Sequence, residues 1–252
     1  MSATRTGAAV AALCAVAGIV AASHAGVAVA QSDVAGRVVF LDPGHNGAND
    51  STITRQVPTG RGGTKDCQTT GTSSADGYPE HSFTWDTTLR IRAGLTDLGV
   101  RSALSRGDDS TVGPCVDARA AQANNLQPDA IVSIHADGGP ADGHGFHVNY
   151  SDPPLNDAQK GPALLLAKQM RDQLVAAGLR PASYIGTNGL YGRADLAGLN
   201  LAQYPAILVE LGNMRNTGDA GAMETTAGRQ RYAQAVINGI VAYLRASPGA
   251  AN

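Results

Sequence analysis

The sequence is poor in glutamate, lysine and aromatic residues. Only three of its 21 acidic residues are glutamate, at Glu80, Glu210 and Glu224, and only three of its 19 basic residues are lysine. Chemistry that needs the longer carboxylate side chain therefore has three candidate positions. The formal net charge is −2, and the 252 residues include only 11 aromatic side chains. Together these counts exclude a polybasic or aromatic-lined surface for nucleic acid.

Three common catalytic motifs are also missing. The sequence contains no Gly-x-Ser-x-Gly turn, which excludes a serine hydrolase of the nucleophile-elbow type. It contains no His-Glu-x-x-His segment and no Gly-x4-Gly-Lys-Ser/Thr loop, which excludes the helix-borne zinc site of many metalloproteases and a P-loop nucleotide site. A catalytic site in this chain must therefore be assembled from residues that lie far apart in the sequence.

The N-terminal region lacks the roughly 20 consecutive apolar residues that a membrane span needs. Instead, Arg5 precedes an apolar run over residues 8–22, and the small-residue site Ala28-Val29-Ala30 follows. This arrangement predicts a signal peptide over residues 1–30 that is cleaved after Ala30. We therefore expect a single domain over residues 31–252, with no transmembrane anchor, exported to the periplasm, the cell wall or the medium. A retained N-terminal anchor is the alternative.

Cysteine is scarce as well. Of the three cysteines, Cys14 lies within the predicted signal, which leaves Cys67 and Cys115. In an oxidising compartment two remaining cysteines most simply pair with each other. A disulfide closing this loop would stabilise the fold by roughly 4 kcal/mol in the chain-entropy model. Two separate buried thiols are the alternative.

The remaining sequence alternates between strand-like and helix-like segments, which is typical of an α/β domain. We expect one open, mixed, mostly parallel sheet with helices on both faces and the active site at the carboxyl ends of the strands. Residues 46–79 are rich in Gly, Thr, Ser and Asp without any periodicity, which predicts a long loop. The predicted strands are 38–41, 100–104, 130–134, 145–150 (a possible partner of 130–134) and 204–209, and the predicted helices are 80–98, 115–126, 157–177 and 224–244.

Polar residues follow three of the predicted buried strands. His45 comes just after the first strand, His135 just after a central one, and Glu210 ends the last one. In open α/β sheets this edge is where sites assemble. Glu80 opens a helix after the polar loop and can point toward the same edge. Two imidazoles and one carboxylate leave a tetrahedral zinc with one open position for water, and Glu210 is then free to act as the general base.

Several neighbouring residues have competing interpretations. His144 and His147 would face opposite sides of a regular strand, so both cannot bind one metal, although one of them could line the cleft. Asp42 and Asp137 flank the two predicted histidine ligands, and each either orients a ligand or is a turn residue that bonds its own backbone. Glu224 fits an exposed acid near the start of the last helix.

Four segments in order resemble the zinc-dependent N-acetylmuramoyl-L-alanine amidases, which cut bacterial peptidoglycan. Leu41-Asp42-Pro43-Gly44-His45 is similar to the strand and Asp-Pro-Gly-His motif that opens the family's domain, and Glu80 follows a variable loop as the family's second metal ligand does. Ser133-Ile134-His135-Ala136 resembles the segment of the third ligand. The segment from Val209 to Asn216 matches the family's Val-Glu-x-Gly-x-x-x-Asn, whose Glu is catalytic. Two residues depart from the family's pattern. Asn46 stands where the family usually has Gly, and His147 stands where many members have an acidic residue.

The resemblance implies a zinc amidase domain over residues 31–252. It would be a monomer that holds one Zn²⁺ through His45, Glu80 and His135, with Glu210 as the catalytic base. Its substrate would be peptidoglycan or muropeptide fragments, cut between N-acetylmuramic acid and L-Ala of the stem peptide. Two alternatives stay open: a zinc peptidase or carboxypeptidase that acts on wall peptides, and a non-catalytic peptidoglycan-binding module.

Overall fold

The computed structural model describes residues 1–4 and 32–247. Most of the predicted signal peptide, including Cys14 and the cleavage site after Ala30, lies outside the described residues. Among the residues that are described, no helix is long and apolar enough to cross a membrane.

Six strands form one mixed sheet in the order β4-β1-β5-β8-β6-β7. All neighbours pair in parallel except β6 and β8, which pair antiparallel. The predicted fold class is therefore confirmed. The strands are β1 (Val38–Pro43), β4 (Arg101–Leu104), β5 (Ala130–Asp137), β6 (His147–Ser151), β7 (Leu190–Arg193) and β8 (Ala206–Asn213).

Helices cover both faces of the sheet. Successive residues of a strand point to opposite faces, so apolar side chains on each face must be covered by a layer of helices. In β1, Leu41 packs into the main core, whereas Phe40 lies in a smaller cluster on the opposite face with Ile131 and Leu199. Burial on both faces explains why these strands are apolar runs rather than alternating ones. The helices are α1 (Glu80–Asp97), α2 (Val116–Leu126), α3 (Asp157–Lys160), α4 (Pro162–Ala176), α5 (Ala197–Leu201), α6 (Thr217–Glu224) and α7 (Thr226–Ala246).

Three expected elements differ from the structure. The strand expected over 145–150 pairs with β8 and β7 and not with β5. The helix expected over 157–177 is divided into α3 and α4 at Gly161, because Pro162 has no backbone N–H to continue the ladder. The last helix begins at Thr226, where the Thr225 side chain caps it by accepting from Gly228 N, so Glu224 belongs to the preceding helix.

The segment 46–79 is more ordered than a plain loop. It contains a 3-10 helix (Ser51–Thr54) and an antiparallel hairpin of β2 (Gln56–Pro58) and β3 (Thr64–Asp66). Strands of three residues are too short to give a detectable alternation, which is why the pattern missed them. The hairpin is followed directly by the predicted disulfide between Cys67 and Cys115, which is formed.

Candidate active site

Three residues predicted as metal ligands meet at the carboxyl edge of the sheet. His45 follows β1, His135 lies in β5 and Glu80 is the first residue of α1. Each offers one ligand atom, and these atoms lie within 4.8 Å of one another. His45 Nε2 is 2.9 Å from Glu80 Oε2, and His135 Nδ1 is 3.0 Å from Glu80 Oε1. The ring nitrogens that face the carboxylate are therefore different in the two histidines.

The Glu80 carboxylate is buried and fully engaged. Besides the two imidazoles, its Oε2 accepts from Thr72 N at 3.0 Å and its Oε1 accepts from Ala136 N at 3.1 Å. Burial acts to raise the pKa of Glu80, but the charge of His45 and the hydrogen bonds from both imidazoles lower that pKa well below its ordinary value. Glu80 is therefore held as an anion that points between the two rings.

Two backbone features bring the histidines close together. His45 Nδ1 donates to the carbonyl oxygen of Thr69 at 2.9 Å. Because a carbonyl can only accept, Nδ1 keeps its proton in this bond, and Nε2 is the nitrogen that faces Glu80. Nε2 donates to Glu80 while the ring is charged and offers a free lone pair once that second proton has left. At Gly44, an added Cβ would lie 2.3 Å from Cε1 of His135. The glycine of the Asp-Pro-Gly-His segment is therefore required by the close approach of the His135 ring.

Glu210 lies beside the ligands on the same face of the sheet. In the strand ladders it is paired with His135 of β5 on one side and with His147 of β6 on the other. Its Oε2 is buried and, within residues 32–247, has no hydrogen-bond partner. Burial raises the pKa of Glu210 well above its ordinary value, and the charges of Glu80 and Asp137 raise it further.

Of the two uncertain histidines, His147 is the one beside Glu210. It is buried against the rings of Tyr184 and Tyr191, with centroids at 6.2 and 6.1 Å. Burial lowers the pKa of His147 to about 4, so the ring is neutral at neutral pH. His144 lies just before the strand, where its backbone N–H bonds the Ser183 hydroxyl.

Neither aspartate next to the two predicted histidine ligands bonds one of their rings. Asp42 accepts from Arg119 Nη1 at 2.8 Å and from the hydroxyls of Ser105 and Ser133, while Asp137 accepts from the Tyr184 hydroxyl and its own neighbouring backbone. The backbone acceptor that orients the His45 ring is the Thr69 carbonyl. Sequence reasoning missed it because a backbone carbonyl in a long loop carries no residue-type signal.

A cavity adjoins the predicted ligand cluster. His45, Gly44 and His135 line it at the sheet edge, and Phe40 and Ile131 contribute apolar surface. Further lining comes from the segment that follows the hairpin and from helices α2 and α5, including Gln68, Thr69, Ala120, Ala123, Ala197 and Leu199. Two of the three predicted ligand residues, His45 and His135, therefore border this cavity.

Comparison with known proteins shows the family of the chain. The sequence profile of the N-acetylmuramoyl-L-alanine amidase family Amidase_3 matches residues 39–242. The chain belongs to this family. The matched range contains all four residues that the sequence predicted for the site.

Relatives within the amidase family are close in both sequence and structure. The N-acetylmuramoyl-L-alanine amidase Rv3717 of Mycobacterium tuberculosis is 66% identical over 213 residues, which cover 84% of this chain and 88% of the relative. The crystal structure of the amidase Ami1 from Mycobacterium smegmatis superposes with a TM-score of 0.85 at 65% identity, covering 86% of this chain and all of that one. The crystal structure of the apo form of Ami1 from Mycobacterium abscessus superposes with a TM-score of 0.83 at 68% identity, covering 83% of this chain and 99% of that one.

Proposed function

We propose that the protein is an N-acetylmuramoyl-L-alanine amidase that acts on peptidoglycan or muropeptide fragments. It hydrolyses the amide bond between the lactyl group of N-acetylmuramic acid and L-Ala of the stem peptide. Family membership over residues 39–242 and the 66% identity to an amidase support this activity. The observation that carries the mechanism is the cluster of His45, Glu80 and His135 beside the Glu210 oxygen that has no hydrogen-bond partner within residues 32–247.

The donor set fits a single catalytic zinc ion. Two imidazole nitrogens and one carboxylate are a usual set for zinc sites that keep a fourth position open. His45 Nε2, His135 Nδ1 and the Glu80 carboxylate would hold the ion, since these atoms already face one another. When bound, zinc polarises a substrate carbonyl and lowers the pKa of water to near neutrality.

Glu210 moves the proton in this mechanism. Its Oε2 takes a proton from the attacking water while the water oxygen bonds the lactyl carbonyl carbon. The same oxygen then gives the proton to the L-Ala nitrogen as the C–N bond breaks. The products are the free lactyl carboxylic acid and a stem peptide with a free amino terminus. The raised pKa of Glu210 favours holding the proton between the two steps.

The wider context follows from the same proposal. Residues 31–252 would form the catalytic domain and residues 1–30 the signal that exports it to the periplasm, the cell wall or the medium. The Cys67–Cys115 disulfide fits an oxidising compartment. We propose that the domain works as a monomer, since all four site residues come from one chain.

The test is to incubate the purified protein with defined muropeptides, with and without a chelator, and to identify the products by mass. Loss of the whole stem peptide from muramic acid, abolished by chelator and restored by zinc, is the expected result. Release of a terminal amino acid would replace the amidase by a peptidase. No cleavage in the presence of zinc would leave a binding module.

A further inference from the structure

His45 has an unusual backbone. Its φ is +62°, in the left-handed region that residues other than glycine rarely adopt. The residue is also buried, and its ring must point toward Glu80 rather than along the extension of β1. A conformation of this kind persists only where the surrounding structure holds it.

The buried side chain of Arg119 holds this turn from α2. The guanidinium donates to the carbonyl oxygen of His45 itself, with Nη2 at 2.6 Å. Its other bonds go to Asp42, Pro43 and Asn46 around that turn, to Ser105, and to the residue before the N-cap of its own helix. They are Nη1 to Pro43 O (2.8 Å), Asp42 Oδ1 (2.8 Å) and Ser105 Oγ (3.4 Å), Nη2 to Asn46 Oδ1 (2.8 Å), and Nε to Pro114 O (2.9 Å).

A second buried arginine shows what is particular to Arg119. Arg106 donates to Pro43 O at 3.2 Å and to Gly44 O at 3.4 Å. Its remaining bonds go to residues on the α1 side and to its own turn. In the part of the chain that the structure describes, Arg119 is the arginine that reaches the carbonyl of the ligand residue. The rigid fork of a guanidinium allows this set of bonds, which the single ammonium of lysine could not make.

We propose that Arg119 is a positioning residue for the metal ligand His45. By fixing the His45 carbonyl it fixes the left-handed turn, and the Thr69 carbonyl then fixes the ring, so that Nε2 faces Glu80. The arginine bonds the His45 carbonyl and not the ring, so it acts through the ligand residue, although its side chain also borders the cavity beside His45. This inference rests on the proposed role of His45 as a zinc ligand.

The experiment measures zinc binding and stability separately. The variants Arg119→Lys and Arg119→Met are compared with Arg37→Met. Arg37 is the matched control because it is also a largely buried arginine that bonds backbone carbonyls, those of Leu244 and Ser247, and an aspartate, Asp129, away from the site. The zinc dissociation constant is measured by competition with a chromophoric chelator, and unfolding by urea is followed in excess EDTA.

We expect Arg119→Met to weaken zinc binding by about 10- to 100-fold, the range found when supporting partners of a metal ligand are removed. Arg119→Lys should recover part of that loss. Arg37→Met should lower the stability of the metal-free protein but change the zinc dissociation constant less than about twofold. If Arg119→Met does not fold, Arg119→Lys carries the comparison.

Two other results have distinct meanings. Zinc binding by the Arg119 variants that equals wild type, with only stability reduced, would overturn the positioning role and leave a structural one. Failure of the wild-type protein to bind zinc would instead overturn the proposed metal site. The two failures are therefore distinguishable.

Discussion

Glu80 and Glu210 lie at the same edge of the sheet, but their carboxylates have opposite surroundings. Glu80 accepts hydrogen bonds from two imidazoles and two backbone amides, and its pKa is lowered. Glu210 has a buried oxygen without a hydrogen-bond partner within residues 32–247, and its pKa is raised. A carboxylate whose two oxygens accept several hydrogen bonds stays ionised and is suited to holding a cation. A buried carboxyl with an oxygen that accepts none is suited to taking and releasing a proton. The two environments therefore match the roles that we propose, Glu80 as a metal ligand and Glu210 as the base.

The largest expected effect comes from removing the base. Glu210→Gln should lower kcat on a muropeptide by about 10²- to 10⁴-fold, because the amide cannot accept the proton of water. Zinc content should be unchanged, since Glu210 is not one of the clustered donors. Steady-state kinetics and metal analysis of the same preparation test this. Glu224→Gln, at the third glutamate, is the matched control and should behave as wild type. Lost zinc in Glu210→Gln would make Glu210 a ligand and remove the contrast.

Loss of the disulfide should affect the surroundings of Glu80 rather than those of Glu210. Cys67 immediately precedes the segment that supplies the Thr69 carbonyl to His45 and the Thr72 N–H to Glu80. Replacing Cys67 and Cys115 together by serine should lower the free energy of unfolding by roughly 4 kcal/mol in the chain-entropy model. Urea unfolding measures this. An unchanged midpoint would show that the segment is anchored without the bond.

Removing the charge of the saturated carboxylate should weaken metal binding. Glu80→Gln should raise the zinc dissociation constant at least about 100-fold, because loss of a ligand exceeds the roughly 10- to 100-fold effect of losing a supporting residue. Competition with a chelator measures the constant. Retained affinity would mean that the two histidines suffice and that Glu80 serves only to orient them.

The smallest effect is on stability, and the two glutamates should differ in sign. A carboxyl whose pKa is raised in the folded state favours folding while it is protonated. This contribution to stability is fully present below the unfolded-state pKa and is lost as the pH rises through the folded-state pKa. Glu210→Gln should therefore be more stable than wild type at pH 8 in EDTA and nearly equal to it near pH 4, because glutamine carries no charge that must be buried. Each unit by which the folded-state pKa is raised corresponds to about 1.4 kcal/mol. Glu80→Gln should be less stable than wild type at pH 8, because the lowered pKa of Glu80 gives stability that is present above its unfolded-state pKa. Urea unfolding at both pH values checks both signs.

Much of the fold could be predicted from local pattern. The apolar runs ending at Leu41, Ile134 and Val209 predicted the central strands because both faces of a parallel sheet are buried. The hairpin, α5 and α6 were missed because such short elements carry little periodicity. The broken helix at Gly161 and the partner of β6 depend on packing, which the pattern of one segment does not contain.

The sequence by itself determined the types and order of the residues that we propose for the site. His45, Glu80, His135 and Glu210 each occupy a recognisable local context at a strand end or helix start, and two of the three glutamates fall on these positions. Only the tertiary structure decided the electrostatic difference between Glu80 and Glu210. That difference depends on the hydrogen bonds and buried charges around each carboxylate, which come from loops and strands far away in the chain. The same is true of the Thr69 carbonyl and of Arg119, since backbone acceptors and buried donor networks exist only once the chain has folded.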